Sequence, residues 1–441
     1  MIRRVKIEGY KSLKSVEVGF KRLTIIFGPN AAGKSNLFDA LALLSRMVTQ
    51  RNLREAFEGH RGTPLETFFI GDSGLDQLLK QEMAQFRMEV DVQLSDAVVE
   101  YVEKLILDLR RGLDSPRESS ENGSGSPSKQ RLLERRLRYS LTIQIMTDTG
   151  HLRVMDERLC ALNSDGTEKQ SRKAFVERVD NKFSLRMEGQ AHPSYHVVGL
   201  DHTLVSTPLY APHYPHITAF REELSRWRFY YLEPKRLMRS DNPLQEVRSL
   251  DPTGSNLASF YNSLRAYNKR QFDNVNRTLP MLLPRVEKID VEPNRNGELQ
   301  LRVFEAGVPF PASLVSEGTL RILGLLAITS ALTPATVVGY EEPENGVHPR
   351  RLQLIATLLK NTAEATDTQF LINTHSPEFP GYFGPEAALI NCRKEGASTL
   401  LDPIRWDSLF KESSIEDGFA EEEMATVSSL AARIRRGDYS G

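Results

Sequence analysis

The chain has 441 residues, 40% of them hydrophobic and 26% charged, a composition too apolar for disorder and long enough for one large domain or two. Its 57 Lys and Arg against 58 Asp and Glu leave a net charge of -1, which excludes chain-wide attraction to nucleic acid or membrane and leaves only local patches. The two cysteines, Cys160 and Cys392, exclude a disulfide framework and a cysteine-rich zinc site.

The opening, MIRRVKIEGYKSL, alternates charged with apolar residues and lacks the uninterrupted apolar core of a secretory signal, so a cytoplasmic protein is expected. Val5 and Ile7, then Val16, Val18 and Phe20, recur at period two and predict strands, and the continuous run Leu23 to Phe27 predicts a buried one. A glycine-rich turn follows. Leu37, Leu41, Leu44 and Val48 then share one helical face, giving strand, loop and helix within fifty residues. The loop, GPNAAGKS at residues 28–35, matches the full G-x-x-x-x-G-K-[ST] pattern. Its glycines let backbone N–H groups curl round a phosphate, and the following helix presents its N-terminus to the negative charge. Lys34 would reach the outer phosphates and Ser35 would ligate Mg2+.

Phe86 to Leu94 alternates apolar and polar residues, as do Tyr139, Leu141, Ile143 and Ile145, which predicts antiparallel strands with one wet face. Between them lie a helical stretch near Ala97 to Leu113 and a polar Ser- and Gly-rich loop at 114–130. The cluster RLLERRLR, Arg131 to Arg138, reads either as a solvated helix face or as a phosphate-binding patch. Five of the nine histidines fall between His192 and His216. With four prolines and no Cys or Glu, that segment reads as an aromatic, proline-rich surface loop in preference to a zinc site.

From Ile322 to Tyr340 the chain carries no formal charge, but Pro334 divides it into a helix-like RILGLLAITSAL and a strand-like ATVVGY, so a membrane span is not expected. Just before it, Ser316, Glu317 and Gly318 open the helix and offer a hydroxyl and backbone N–H groups as a second phosphate-binding surface. The strand ends in Glu341 and Glu342, where an Mg2+ ligand and a water-activating base are needed. Alternation along the strand assigns the two carboxylates different directions and hence different roles. Phe370 to Ile372 predicts another strand, leading to Asn373, Thr374 and His375, whose ring N–H could sense a γ-phosphate.

The order of P-loop, long insertion, Ser-x-Gly, Glu-Glu strand and Thr-His-Ser strand resembles the ATP-binding cassette ATPases, in the soluble branch of structural-maintenance-of-chromosomes (SMC), RecF and OLD proteins. The segments IEGYKSLKSVEVGF, FGPNAAGKSNLFDAL, RFYYLEPKRLMRSDNP, DPTGSNLASFYNSL, SEGTLR, EEPENGVHPRRLQLI and THSPEF are similar to those of its stand-alone bacterial AAA family (AAA-21-like) members. The resemblance covers residues 1–60 and 226–385. It implies that Gly28, Pro29, Asn30, Ala31, Ala32, Gly33, Lys34, Ser35 and Asn36 form the Walker A loop and that Ser316 to Gly318 is the signature. It further implies that Glu341 is a metal ligand, Glu342 the general base, Glu344 to Pro349 the D-loop region and His375 the switch histidine. Many cassette ATPases have Asp where Glu341 stands, so slow turnover is implied; the glutamine loop has no assigned residue.

These readings together predict an α/β P-loop NTPase head split in sequence. Residues 1–80 form an N-terminal lobe, 81–225 an inserted antiparallel β and helical subdomain, and 226–441 the C-terminal lobe. The expected cofactors are ATP and Mg2+. The expected partners are a second copy of the chain in an ATP-dependent dimer, DNA, and a separate nuclease or effector subunit, in DNA repair and maintenance or antiphage defence. The rival reading is a nucleotide-gated scaffold with little turnover. The acidic run Glu416 to Glu423 is expected to be solvated, not part of a nuclease.

Overall fold

The computed structural model describes residues 1–71, 74–113, 132–406 and 430–432. The loop expected at 114–130, Arg131 and the run Glu416 to Glu423 lie outside these residues. The chain separates into two compact units. One contains Met1–Phe20, Asn36–Trp227 and Lys394–Leu401; the other contains Lys21–Ser35, Arg228–Arg393 and Asp402–Gly441.

The first unit is built on an eight-stranded sheet in the order Leu13–Gly19, Ile2–Tyr10, Met83–Gln93, Arg136–Met146, Leu152–Ala161, Val176–Val179, Lys182–Leu185 and Ser194–Val197. Its strands pair antiparallel, and the register sets Val18, Val5, Val90, Tyr139 and Leu159 opposite one another in a buried row. Period-two alternation thus aligns apolar side chains across five strands, the arrangement in which cross-strand pairs stabilise a sheet. The helix Pro215–Ser225 covers this face, with Phe220 packed 5.0 Å from the Tyr139 ring. On the other face Arg4, Asp91 and Arg138 form a row, with Asp91 accepting from Arg4 Nε at 2.9 Å and Arg138 Nε at 2.6 Å.

That row corrects one reading of the arginine cluster. Residues 132–135 are not helical and Arg136 begins a strand, because pairing with Met83–Gln93 outweighs the local helix-like spacing. Arg138 is paired with Asp91, Arg135 with Asp96, and Arg136 donates to Gln93 Oε1 at 2.9 Å.

The second unit holds a six-stranded sheet in the order Trp227–Tyr230, Val337–Glu341, Gln369–Thr374, Leu23–Phe27, Ala388–Glu395 and Ser398–Ile404. The four central strands run parallel. Leu23–Phe27 is buried along its whole length because it has parallel neighbours on both sides, which explains its unbroken apolar sequence. A three-stranded meander, Lys288–Pro293, Leu299–Glu305 and Val308–Pro311, completes the unit. The uncharged stretch divides as its proline predicts, into the end of the helix Glu317–Thr329 and the strand Val337–Glu341. Leu320, Ile322, Leu323, Leu325, Leu326 and Ile328 are all buried in the core, so the absence of charge reflects an enclosed helix. Among the described residues no helix is long and apolar enough to cross a membrane.

Candidate functional site

The site is prepared by strand register. Glu341 stands opposite Asn373, Thr374 opposite Phe27, and Phe27 opposite Asn391, so the central strands end in one line. In open parallel sheets, ligands bind beyond these carboxyl ends. The glycine-rich loop leaves Phe27 and enters the helix Lys34–Thr49.

Within the loop Gly28 has φ 154°, Ala31 φ 63° and Gly33 φ 101°. A Cβ on Gly28 would collide with the carbonyl oxygen of Cys392, so this glycine is required both by its dihedral and by the neighbouring strand. Lys34 is only 6% exposed, and its Nζ donates to Gly28 O at 2.8 Å and Pro29 O at 2.9 Å. Burial pulls its ammonium below its ordinary value, against the opposing fields of Cys392, Glu342, Glu344 and Glu341. Among the described residues no carboxylate ion-pairs with it. The Ser35 hydroxyl donates to Glu341 Oε2 at 3.2 Å, which joins two hard oxygen ligands of the type that holds Mg2+.

The two adjacent glutamates reach different partners. Glu341 is the last strand residue, whereas Glu342 adopts φ 48° and turns the chain away from the sheet. Its backbone N–H donates to the Asn373 carbonyl at 3.0 Å, tying the turn to the next strand. Glu342 Oε2 accepts from Asn345, and its Oε1 lies 3.2 Å from His375 Nδ1. Glu344 is 7% exposed, accepts the Thr374 hydroxyl, and lies 4.0 Å from the same His375 nitrogen. Burial raises its pKa, countered by the Thr374 hydroxyl and by His375.

Ser316 caps the helix Glu317–Thr329 by accepting the Thr319 N–H at 3.1 Å, the local bond that its position before an apolar helix predicts. Ser316 and Glu317 are exposed. Among the described residues no hydrogen bond or ion pair joins them to Gly28–Ser35. Gly318 packs against the Gly346 backbone so closely that a Cβ would overlap the Gly346 carbonyl oxygen.

Thus Gly28–Ser35, Glu341, Glu342 and His375 gather around the strand ends, while Ser316–Gly318 adjoins them through Gly346. Asn345 and Thr374 donate to the Glu342 and Glu344 carboxylates and Asn373 accepts the Glu342 backbone N–H; Asn373 and Thr374 were visible at a strand end, but nothing in the sequence says which groups they hold. Within the histidine-rich segment, His216 is enclosed by neighbouring protein groups. His216 is 2% exposed, with Nε2 accepting the Glu134 N–H at 3.1 Å and Nδ1 2.8 Å from both Glu188 oxygens. That donor pattern fixes a neutral ring with its proton on Nδ1, locked in a core. No group of three or more His, Cys, Asp or Glu among the described residues is arranged to hold a metal ion.

Residues 23–379 match the AAA_21 family, described as "AAA domain, putative AbiEii toxin, Type IV TA system". An ATP/GTP phosphatase of Helicobacter pylori is 22% identical over 396 residues, covering 86% of this chain and 86% of that protein. The DNA replication and repair protein RecF of Bacteroides thetaiotaomicron is 33% identical over 84 residues, covering 15% of this chain and 23% of RecF. The solved structure of an Smc head bound to the C-winged helix domain of ScpA is 12% identical, covers 92% of this chain and 99% of that one, and superposes with a TM-score of 0.51. The mixed α/β architecture is the P-loop NTPase fold of such heads.

Proposed function

The chain belongs to the AAA_21 family, as a P-loop ATPase of the SMC- and RecF-like branch, and from that premise we propose that it binds ATP and hydrolyses it slowly to drive an assembly switch. The observation that carries this reading is Lys34, a buried cation whose hydrogen bonds among the described residues go to carbonyls of its own loop. Such a group is costly to bury unless an anion takes those contacts, and a nucleotide phosphate is the anion its loop is shaped to meet. Ser35 and Glu341 would hold Mg2+, which supplies neutralisation of phosphate charge. Glu342 would take the proton of an attacking water, and His375 would orient beside the terminal phosphate.

Ser316 to Gly318 would meet the nucleotide of a second copy, making ATP the link in a dimer. The exposure of Ser316 and Glu317 supports this reading. A role in DNA repair or maintenance, or in defence with a separate effector, is supported by the RecF relative and by the family's description as a putative toxin. The slow-turnover scaffold is favoured by one detail: each Glu342 oxygen already has a donor beside it, Asn345 at Oε2 and His375 at Oε1, which competes with an attacking water.

Calorimetry of ATP binding tests the assignment. Lys34→Ala is expected to weaken binding by roughly a hundredfold or more, the scale of removing one partner from a buried charge pair. Near-normal affinity in that variant would contradict the site.

A further inference from the structure

We propose that Glu344 is a positioning residue for the hydrolysis: it is the second seat for the His375 ring N–H, and by taking that donor from Glu342 it leaves the base free to act on water. The inference rests on the ATPase reading above and adds a residue and a switching step to it.

Local geometry brings Glu344 back under the strand ends. The left-handed Glu342 and the turn bond from Asn345 N–H to the Glu342 carbonyl, at 3.1 Å, fold the chain so that Glu344 meets the end of Gln369–Thr374. There its Oε1 accepts the Thr374 hydroxyl, whose oxygen in turn accepts the Ser376 N–H at 2.9 Å. The carboxylate is therefore anchored to the segment that carries His375. Among the described residues its Oε2 is buried without a hydrogen-bond partner. Oε1, the oxygen that faces His375, accepts the Thr374 hydroxyl and with its second lone pair can take another donor.

A donor close to Glu344 is the exposed His375. Its Nδ1 faces two carboxylates, Glu342 Oε1 at 3.2 Å and Glu344 Oε1 at 4.0 Å. An ionised carboxylate only accepts, so Nδ1 must carry the proton, and one N–H satisfies one partner well. In this arrangement it occupies Glu342, whose other oxygen is held by Asn345. A ring movement on the order of an ångström would exchange the partners and open Glu342 Oε1, a shift small enough for a side chain tethered by Thr374. Nucleotide binding would drive the exchange by bringing a phosphate oxygen to the opposite ring nitrogen, which donates to it in the ring form that carries a proton on both nitrogens. No bond to carbon or phosphorus changes in this step; the hydrogen-bond donor moves between acceptors.

The test combines turnover, ATP affinity and ring NMR in the intact chain. Glu344→Met, of similar volume but without an acceptor, is expected to lower kcat roughly tenfold or more while KM and ATP affinity stay within about threefold. Glu344→Gln keeps a carbonyl acceptor and is expected to remain within about threefold of the parent. Once His375→Gln has removed the donor, Glu344→Met should cost less than about twofold further. In the unsubstituted protein, which requires no variant to fold, the His375 Nδ1 resonance should shift on adding ATP. That shift should be lost in Glu344→Met. An unshifted resonance in the parent, or additive losses in the double variant, would overturn the proposal and leave the ATPase reading standing. Absence of Lys34-dependent turnover in the parent would bring down both.

Discussion

At the residue scale, motif spacing identified which glycines matter but not what they touch. Gly28 was legible because its position in GPNAAGKS demands a backbone that curls round an anion. The collision with Cys392 that also excludes a side chain there was not legible, since it depends on a strand 364 residues further along the sequence meeting the loop. Gly318 is similar: its place in SEGTLR suggested close approach to a phosphate, whereas its tightest contact is with the Gly346 backbone. Neither of those two backbones can retreat as a flexible side chain would. Gly318→Ala is therefore expected to cost about 1–3 kcal/mol in stability, the range for overpacking a filled contact, measurable by denaturant melts. A variant as stable as the parent would show that the two segments separate freely.

At the element scale, period-two patterning named the principal strands correctly because one face of an antiparallel sheet must be apolar. It missed Arg136 to Arg138, where helix-like spacing was overruled by a partner strand that local sequence does not reveal. It also gave no hint of Glu157, fully buried in the strand Leu152–Ala161. This carboxylate accepts the Tyr139 hydroxyl at 2.9 Å and the Leu204 and Val205 N–H groups at 2.7 and 3.1 Å. Burial nevertheless dominates and pushes it up from 4.5 to about 7. The folded chain then holds this proton more tightly than the unfolded chain. Its contribution is fully present below pH 4.5 and is lost as pH rises through about 7, an order-of-magnitude change of ~3 kcal/mol. Relative to Glu157→Gln, the parent should lose about that much stability between pH 4.5 and 8. A pH-independent difference in denaturant melts would show that the hydrogen bonds to Glu157 outweigh its desolvation.

At the scale of the whole molecule, the P-loop architecture was legible because loop, glutamates and histidine each follow a buried strand, and parallel register then brings their ends into line. The coupling of Asn345, Thr374 and Glu344 to that line was not, because side-chain partners arise only when the turns after the strands close. The proposed ATP-dependent assembly is tested at the same scale. Glu342→Gln retains size and hydrogen bonding but removes the base, so light scattering should detect an ATP-dependent dimer that persists. Adding Ser316→Arg should abolish that dimer while each chain still binds ATP; a dimer that survives the arginine would place the interface elsewhere. The central claim, that this chain hydrolyses ATP at Lys34 and Glu342, is tested most directly by phosphate release from the purified protein with Mg2+ and ATP. Slow, Mg2+-dependent release is predicted from the parent, with loss in both Lys34→Ala and Glu342→Gln and retained ATP binding only in the latter. No release from the parent, or equal release from all three proteins, would contradict it.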